Sequence, residues 1–138
     1  MSSASAIADA LVAILEAMSE STATKDQYTL DTAVDRYIFI VRPATGEMRH
    51  AYMQAATYTK NITLKAECYV KDLGDPDEYM NAQWTIIDRV ETTVDSYDTL
   101  SSTCDHAYVE RWDVPEVEAQ LGGMIYQPIN FWVRCEVA

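Results

Sequence analysis

The stretch from Asp75 to Leu100 constrains the fold of this chain more than any other. Asp75 stands as a helix N-cap before Pro76 at the first helical position, and Glu78 three residues on closes a capping box at the positive end of the dipole. Behind that start Met80, Trp84, Ile87, Val90, Val94 and Tyr97 recur at three and four, which predicts one apolar stripe opposite Asp88, Arg89, Glu91, Thr92 and Asp95. Ser101 and Ser102 close the element. Such a stripe must lie on something, and two runs with period-two alternation flank it, Ile62 to Val70 before and Ile129 to Val137 after. The pattern predicts an α+β fold, a single mainly antiparallel sheet packed by an N-terminal helix and this long central helix. Its 138 residues match the commonest domain size, so residues 1–138 are read as a single domain.

The remaining segments fit around that plan. Ser2, Ser3 and Ser5 offer caps for the N-terminal helix, where Ile7, Leu11, Ile14, Leu15 and Met18 share a face. Ser19 to Gln27, rich in Ser and Thr, reads as an exposed loop. Tyr37 to Val41 is an unbroken apolar run, the pattern of a strand covered on both faces, as helices on both sides would do. Pro43 and Gly46 interrupt it, and the segment to Lys60 reads as a long hairpin arm in preference to a short helix. In the next strand Ile62, Leu64, Ala66, Cys68 and Val70 face one way, and Thr63, Lys65, Glu67, Tyr69 and Lys71 the other. Asp72 to Asp77 turns into the helix. Tyr108 to Trp112 alternates until Pro115, Gly122 and Gly123 make a bend, and Met124 to Val137 is the last strand, with Pro128 marking a bulge or an edge near its start.

Composition excludes several functions. Ten Lys plus Arg against twenty-two Asp plus Glu give a net charge of -12, which repels phosphate backbones and argues against gripping a duplex. Three cysteines, Cys68, Cys104 and Cys135, are an odd number without CxxC spacing, so neither a disulfide framework nor structural zinc is expected, and a reducing compartment fits. Without a positively charged leader before Ile7 to Leu15, or an apolar run near the ~20 residues of a membrane span, the expectation is a soluble, unsecreted protein with no membrane association.

No catalytic signature stands out. His50 and His106 lack a ligand partner beyond the pair Cys104 and His106, and Cys68 and Cys135 fall on apolar strand faces, where a thiol behaves as a small hydrophobe. Acid pairs such as Asp75 with Asp77, or Asp35 with Glu47, arise by chance among so many carboxylates, and no phosphate loop or nucleophile elbow is present. The expectation is a protein that is not an enzyme and has no metal or cofactor. Tyr69, Tyr108, Trp112 and Trp132 are more informative. They alternate outward on strands that also carry charge, a composition found at interface anchors with polar rims, although the N-terminal helix could equally cover them. The candidate interface residues are Tyr69, Trp112 and Trp132, with Arg49, Tyr52 and Tyr58 from the long segment.

In order of elements, size and acidity the chain resembles the tail terminator proteins of long-tailed, lambda-like bacteriophages. The likeness is carried by the first helix Ala4 to Met18, the strand Thr63-Leu64-Lys65-Ala66-Glu67-Cys68-Tyr69-Val70, the Asp-Pro-started helix through Trp84 and Ile87, and the closing strand Gly123 to Glu136. It spans nearly the whole chain, which departs from the family in a longer Pro43 to Lys60 segment and an extra Val114 to Leu121 stretch. The resemblance implies a structural virion protein, a homo-oligomeric ring usually of six copies. The ring would sit on the tail tube protein, end tube growth and offer a docking face to a head-completion or connector protein. It would form in the host cytoplasm and end at the head-proximal end of the tail. Six copies at -12 would together carry -72, and a lumen of that sign lets DNA pass without specific binding. Another head-to-tail joining protein or a tail tube subunit would share this size and habit, and a small acidic enzyme or binding module is the remaining reading, distinguished by a pocket with convergent polar groups.

Overall fold

The first helix, α1 (Ala4–Glu16), starts at Ser3, whose backbone is extended and whose hydroxyl accepts a hydrogen bond from the Ala6 amide at 3.1 Å. That bond satisfies one of the amides a helix start leaves unpaired. Ile7, Leu11, Ile14 and Leu15 are buried along one side, and Met18 packs partly buried beyond them. The computed structural model describes residues 3–25, 36–50, 58–71, 76–115, 119–121, 124–126 and 128–137.

The segment after α1 is not the exposed loop its composition suggests. Ser21–Thr24 forms strand β1, parallel to β2 (Tyr37–His50) and in register from Ser21 opposite Tyr37 to Thr24 opposite Ile40. Ser21 and Ala23 point inward and are buried. Their small side chains fit beneath α1, and the Ser21 hydroxyl donates to the Ser19 carbonyl at 3.2 Å, which removes the penalty for burying it.

The described parts of the 43–60 segment pair as two antiparallel strands, as a hairpin arm requires. β2 pairs antiparallel with β3 (Tyr58–Val70) from Tyr37 opposite Val70 out to His50 opposite Tyr58, with one register shift between Pro43 and Thr45. The last strand differs from the expectation. Met124 to Val137 is two strands, β6 (Met124–Tyr126), which forms a small ribbon with β5 (Ala119–Leu121), and β7 (Ile129–Val137), which joins the main sheet. Pro128 lies between them, where a residue without an amide proton interrupts the ladder least. The Gly122 and Gly123 bend lies outside the described residues.

The main sheet has five strands in the order β1-β2-β3-β7-β4, where β4 is His106–Asp113. Both β3 and β4 run antiparallel to β7 and so are parallel to each other. A parallel pair needs a crossover, and α2 (Pro76–Ser96) supplies it over β7. The result is α+β, two helices on a mostly antiparallel sheet. Pro76 is the first residue of α2, with Asp77 and Glu78 in its first turn; the Asp75 cap lies outside the described residues. The helix ends at Ser96. The chain then turns through Leu100, Ser101 and Ser102 at φ of 44°, 57° and 65°, held by the buried Leu100 side chain and by the Thr103 hydroxyl donating to the Leu100 carbonyl at 2.7 Å.

Both helices pack on one face of the sheet, against Phe39, Val41, Leu64, Ala66, Cys68, Phe131, Val133 and Cys135 among others, so helices do not cover both sides of the Tyr37 to Val41 run. Ile38 and Ile40 are nonetheless buried on the opposite face. The stripe of α2 is also rotated from its expected position. Ala82, Ile86, Ile87, Val90 and Val94 are buried, whereas Met80, Trp84 and Tyr97 are exposed to 58%, 60% and 57%. At about 100° per residue, Ile86 and Val90 centre the buried side, and Met80 and Trp84 fall with Asp88 and Glu91 instead. Ile87 stays in the core, and Asp88 and Glu91 are exposed as expected.

This rotation is testable by paired substitutions. Ile86→Ala should cost about 2–5 kcal/mol through cavity formation, and Trp84→Ala less than about 1 kcal/mol. Chemical denaturation midpoints check it; equal shifts would place the helix in the wrong rotation.

Candidate assembly interface

Three surfaces stand out, each produced by a local feature of a strand or helix. The first is the root of the hairpin arm. β1 pairs with β2 only as far as Ile40, so from Val41 to His50 the outer edge of β2 has no ladder partner among the described residues. An open edge of this length presents unpaired backbone donors and acceptors, a template for another strand. Beside it lies a cleft of about 400 Å³, lined by Ala4, Pro43, Ala44, Gly46, Ile62 and Leu64 together with Thr45 and Lys60. Its wall is largely apolar because Pro43 and Gly46 sit in β2 on the side of Leu64 and Ile62.

The second surface is a groove of about 230 Å³ between α2 and the edge strand β4, lined by Met80, Gln83, Trp84, Ile87, Trp112 and Val114. Trp112 reaches it through a β-bulge. Unbroken alternation from Tyr108 would put Trp112 on the outer face, but the register shifts between Val109 and Arg111, so Glu110 is an extra residue. Arg111 then opposes Trp132, and Trp112 opposes the core residue Phe131. The bulge turns Trp112, 37% exposed, to the helix side of the sheet, away from Trp132.

The third surface is the outer face of the sheet. Trp132 lies in register between Lys65 of β3 and Arg111 of β4. The Arg111 guanidinium carbon is 3.7 Å from the ring centroid, and the Lys65 ammonium is 5.6 Å from it. Cross-strand cation–π contacts of this kind contribute roughly 0.5–1 kcal/mol where exposed and restrict the indole's position. Arg42 pairs with Glu67 at 2.6 Å, and Glu67 also accepts the Tyr69 hydroxyl at 2.7 Å. Tyr69 is therefore not an exposed anchor. It is only 3% accessible, and burial first, then its bond to the Glu67 carboxylate, push its hydroxyl well above the ordinary tyrosine range.

Of the six candidate interface residues, Trp112 and Trp132 are on opposite faces and Tyr69 is buried. Arg49 and Tyr58 occur in the distal part of the β2–β3 ladder, but their side chains, and Tyr52 altogether, lie outside the described residues. Met80 and Trp84 were missed because they fit the spacing of a core stripe. The one available signal was that Ala82 and Ile86 define a second stripe, rotated from the first.

The groups singled out as chemical candidates lie partly among the described residues. No group of three or more His, Cys, Asp or Glu side chains is placed to hold a metal ion among them. Cys104 is buried, whereas His106 is exposed near Asp98 at 3.7 Å, so the Cys104 and His106 pair does not converge. The acids Asp75 and Asp35 and the Glu47 side chain lie outside the described residues. The three thiols are free and buried. Burial raises all three, Cys135 to about 12 with further contributions from Cys104, so each is protonated at neutral pH. No described helix is long and apolar enough to cross a membrane. The chain matches no protein-family model, and comparison with curated proteins gives no match in sequence.

A thiol reagent at neutral pH should therefore leave the native protein unlabelled over minutes and modify three thiols once it is denatured without reductant. Fewer than three would reveal a disulfide, and fast native labelling would show that the Cys68 strand face is open.

Proposed function

We propose that the protein works by assembling, as a ring that caps the head-proximal end of a phage tail tube, ends tube polymerisation and presents the surface for head joining. The observation that carries this reading is the β2–β3 arm, whose outer edge from Val41 to His50 has no ladder partner among the described residues and runs beside an apolar cleft. Pro43 and the register shift beside it blunt the start of that edge, and the laddered stretch beyond them is the part an assembling subunit would use. Ring contacts between identical copies are heterologous, so each copy needs two different surfaces, and the helix side, where Met80 and Trp84 are exposed, differs in make-up from both the arm and the outer sheet face. The acidic balance supports passage of DNA through the lumen without adhesion. The order of helix, strands, crossover helix and closing strand also fits the tail terminator likeness.

Shortening the arm by removing equal lengths from its two strands between 44 and 60 should leave the melting transition of the core intact and abolish rings seen by negative-stain imaging. Phage lacking the protein should make tails of uncontrolled length that fail to join heads. Normal tails and normal head joining in its absence would overturn the reading.

A further inference from the structure

The helix layer and the outer sheet face of this chain differ in charge. Along α2 the exposed positions Asp77, Met80, Trp84, Asp88, Glu91 and Asp95 recur at three and four and form one stripe, mainly apolar near the N-terminus and acidic beyond Trp84. Asp88, Glu91 and Asp95 make no ion pair among the described residues. Arg89 turns elsewhere, donating to the Ser19 carbonyl at 3.0 Å and lying over the Tyr37 ring. Like charges at these spacings repel, so the stripe destabilises its own helix unless a cationic surface meets it.

The opposite side of the molecule carries such a surface. Trp132 is flanked by Lys65 and Arg111, with Arg134 two residues along β7 and Arg42 across β3. These are four of the ten Lys and Arg residues of the chain. Among laddered positions with described side chains they stand against three acids, and Arg42, Arg111 and Arg134 each already lie beside one of them, Glu67 at 2.6 Å, Asp113 at 3.5 Å and Glu136 at 3.8 Å, so Lys65 supplies the local excess of +1 in a chain of -12. The interspersed acids and the overall charge disfavour a nucleic acid here. An aromatic with a cationic rim fits an aromatic with an acidic rim.

Resting on the assembly reading above, we propose that the α2 stripe of one copy docks on the Trp132 face of the next copy. Met80 and Trp84 would lie on Trp132, and Asp88, Glu91 and Asp95 would face Lys65, Arg111 and Arg134. Because the two surfaces belong to different layers of the same subunit, the contact is heterologous and leaves one of each free at every step of growth.

Charge reversal tests the pairing. Lys65→Glu with Arg111→Glu, and separately Asp88→Lys with Glu91→Lys, should each weaken self-association by at least about 100-fold, since like charges then meet across the junction. Light scattering after size exclusion should find each double variant monomeric. Their equimolar mixture should assemble again in alternation, because the acidic α2 stripe of the first variant meets the unchanged cationic face of the second and the reversed pair meets at the next junction, and the chain carrying all four substitutions should assemble as well. Circular dichroism checks folding, and Arg111→Glu alone, at an exposed side chain, serves as the second variant if a double one fails to fold. Double variants that assemble like wild type, or a mixture that stays monomeric, would overturn this pairing and leave the assembly reading standing. A wild-type chain that is monomeric at every concentration would overturn both.

Discussion

The structure depends on the apolar face of β3. Ile62, Leu64, Ala66, Cys68 and Val70 lie on one side of the most central strand, and that side is the floor on which both helices rest. β2 and β7 pair with β3 along most of its length and extend the same face with Phe39, Val41, Phe131 and Val133. At roughly 25 cal/mol per Å² of apolar surface removed from water, this shared burial is the main favourable contribution to the fold. A slip of one residue in β3 would send all of those side chains to the opposite face, so the register of the whole sheet is tied to this one pattern.

With the core on one side, the other face of the sheet is left for polar chemistry. It is not simply wet. Ile38, Ile40 and Tyr69 are buried there, and Tyr69 shares Glu67 with Arg42. Further along, Trp132 is gripped by cations in register on both sides. Such pairs arise because laddered neighbours on adjacent strands approach within about 5.5 Å, which fixes long side chains at a defined place on the surface. A face preordered in this way loses less entropy when a partner binds than one of free lysines and arginines.

Two devices set the remaining surfaces. The bulge at Glu110 divides β4 into parts that present opposite faces, so Tyr108 and Trp112 do not act together. The rotation of α2 gives the core to Ile86 and Val90 and leaves Met80 and Trp84 outside beside the redirected Trp112. An exposed tryptophan and methionine beside an edge strand cost solubility, which accords with a surface that is covered in an assembly.

By itself the sequence determined the elements whose apolar pattern matches a single period. The alternation of Ile62 to Val70 and Ile129 to Val137, the face of α1 and the proline start of α2 were legible because one local rule settles each. The hairpin arm could be read from what interrupts it, Pro43 and Gly46. Tertiary structure alone decided the rest. Ser21 to Thr24 became a strand because β2 offered an edge beneath α1, a pairing that its own Ser and Thr content does not encode. Trp84 left the core because two overlapping stripes, 80/84/87 and 82/86/90, both satisfy helical spacing, and only packing against the sheet selects between them. Trp112 changed face because a single unpaired residue resets the parity of a strand, and Tyr69 was buried by cover that alternation cannot count. The candidate interface was therefore less legible than the core: burial is additive along a regular pattern, whereas an exposed site depends on register, rotation and bulges, which are fixed only when distant segments meet.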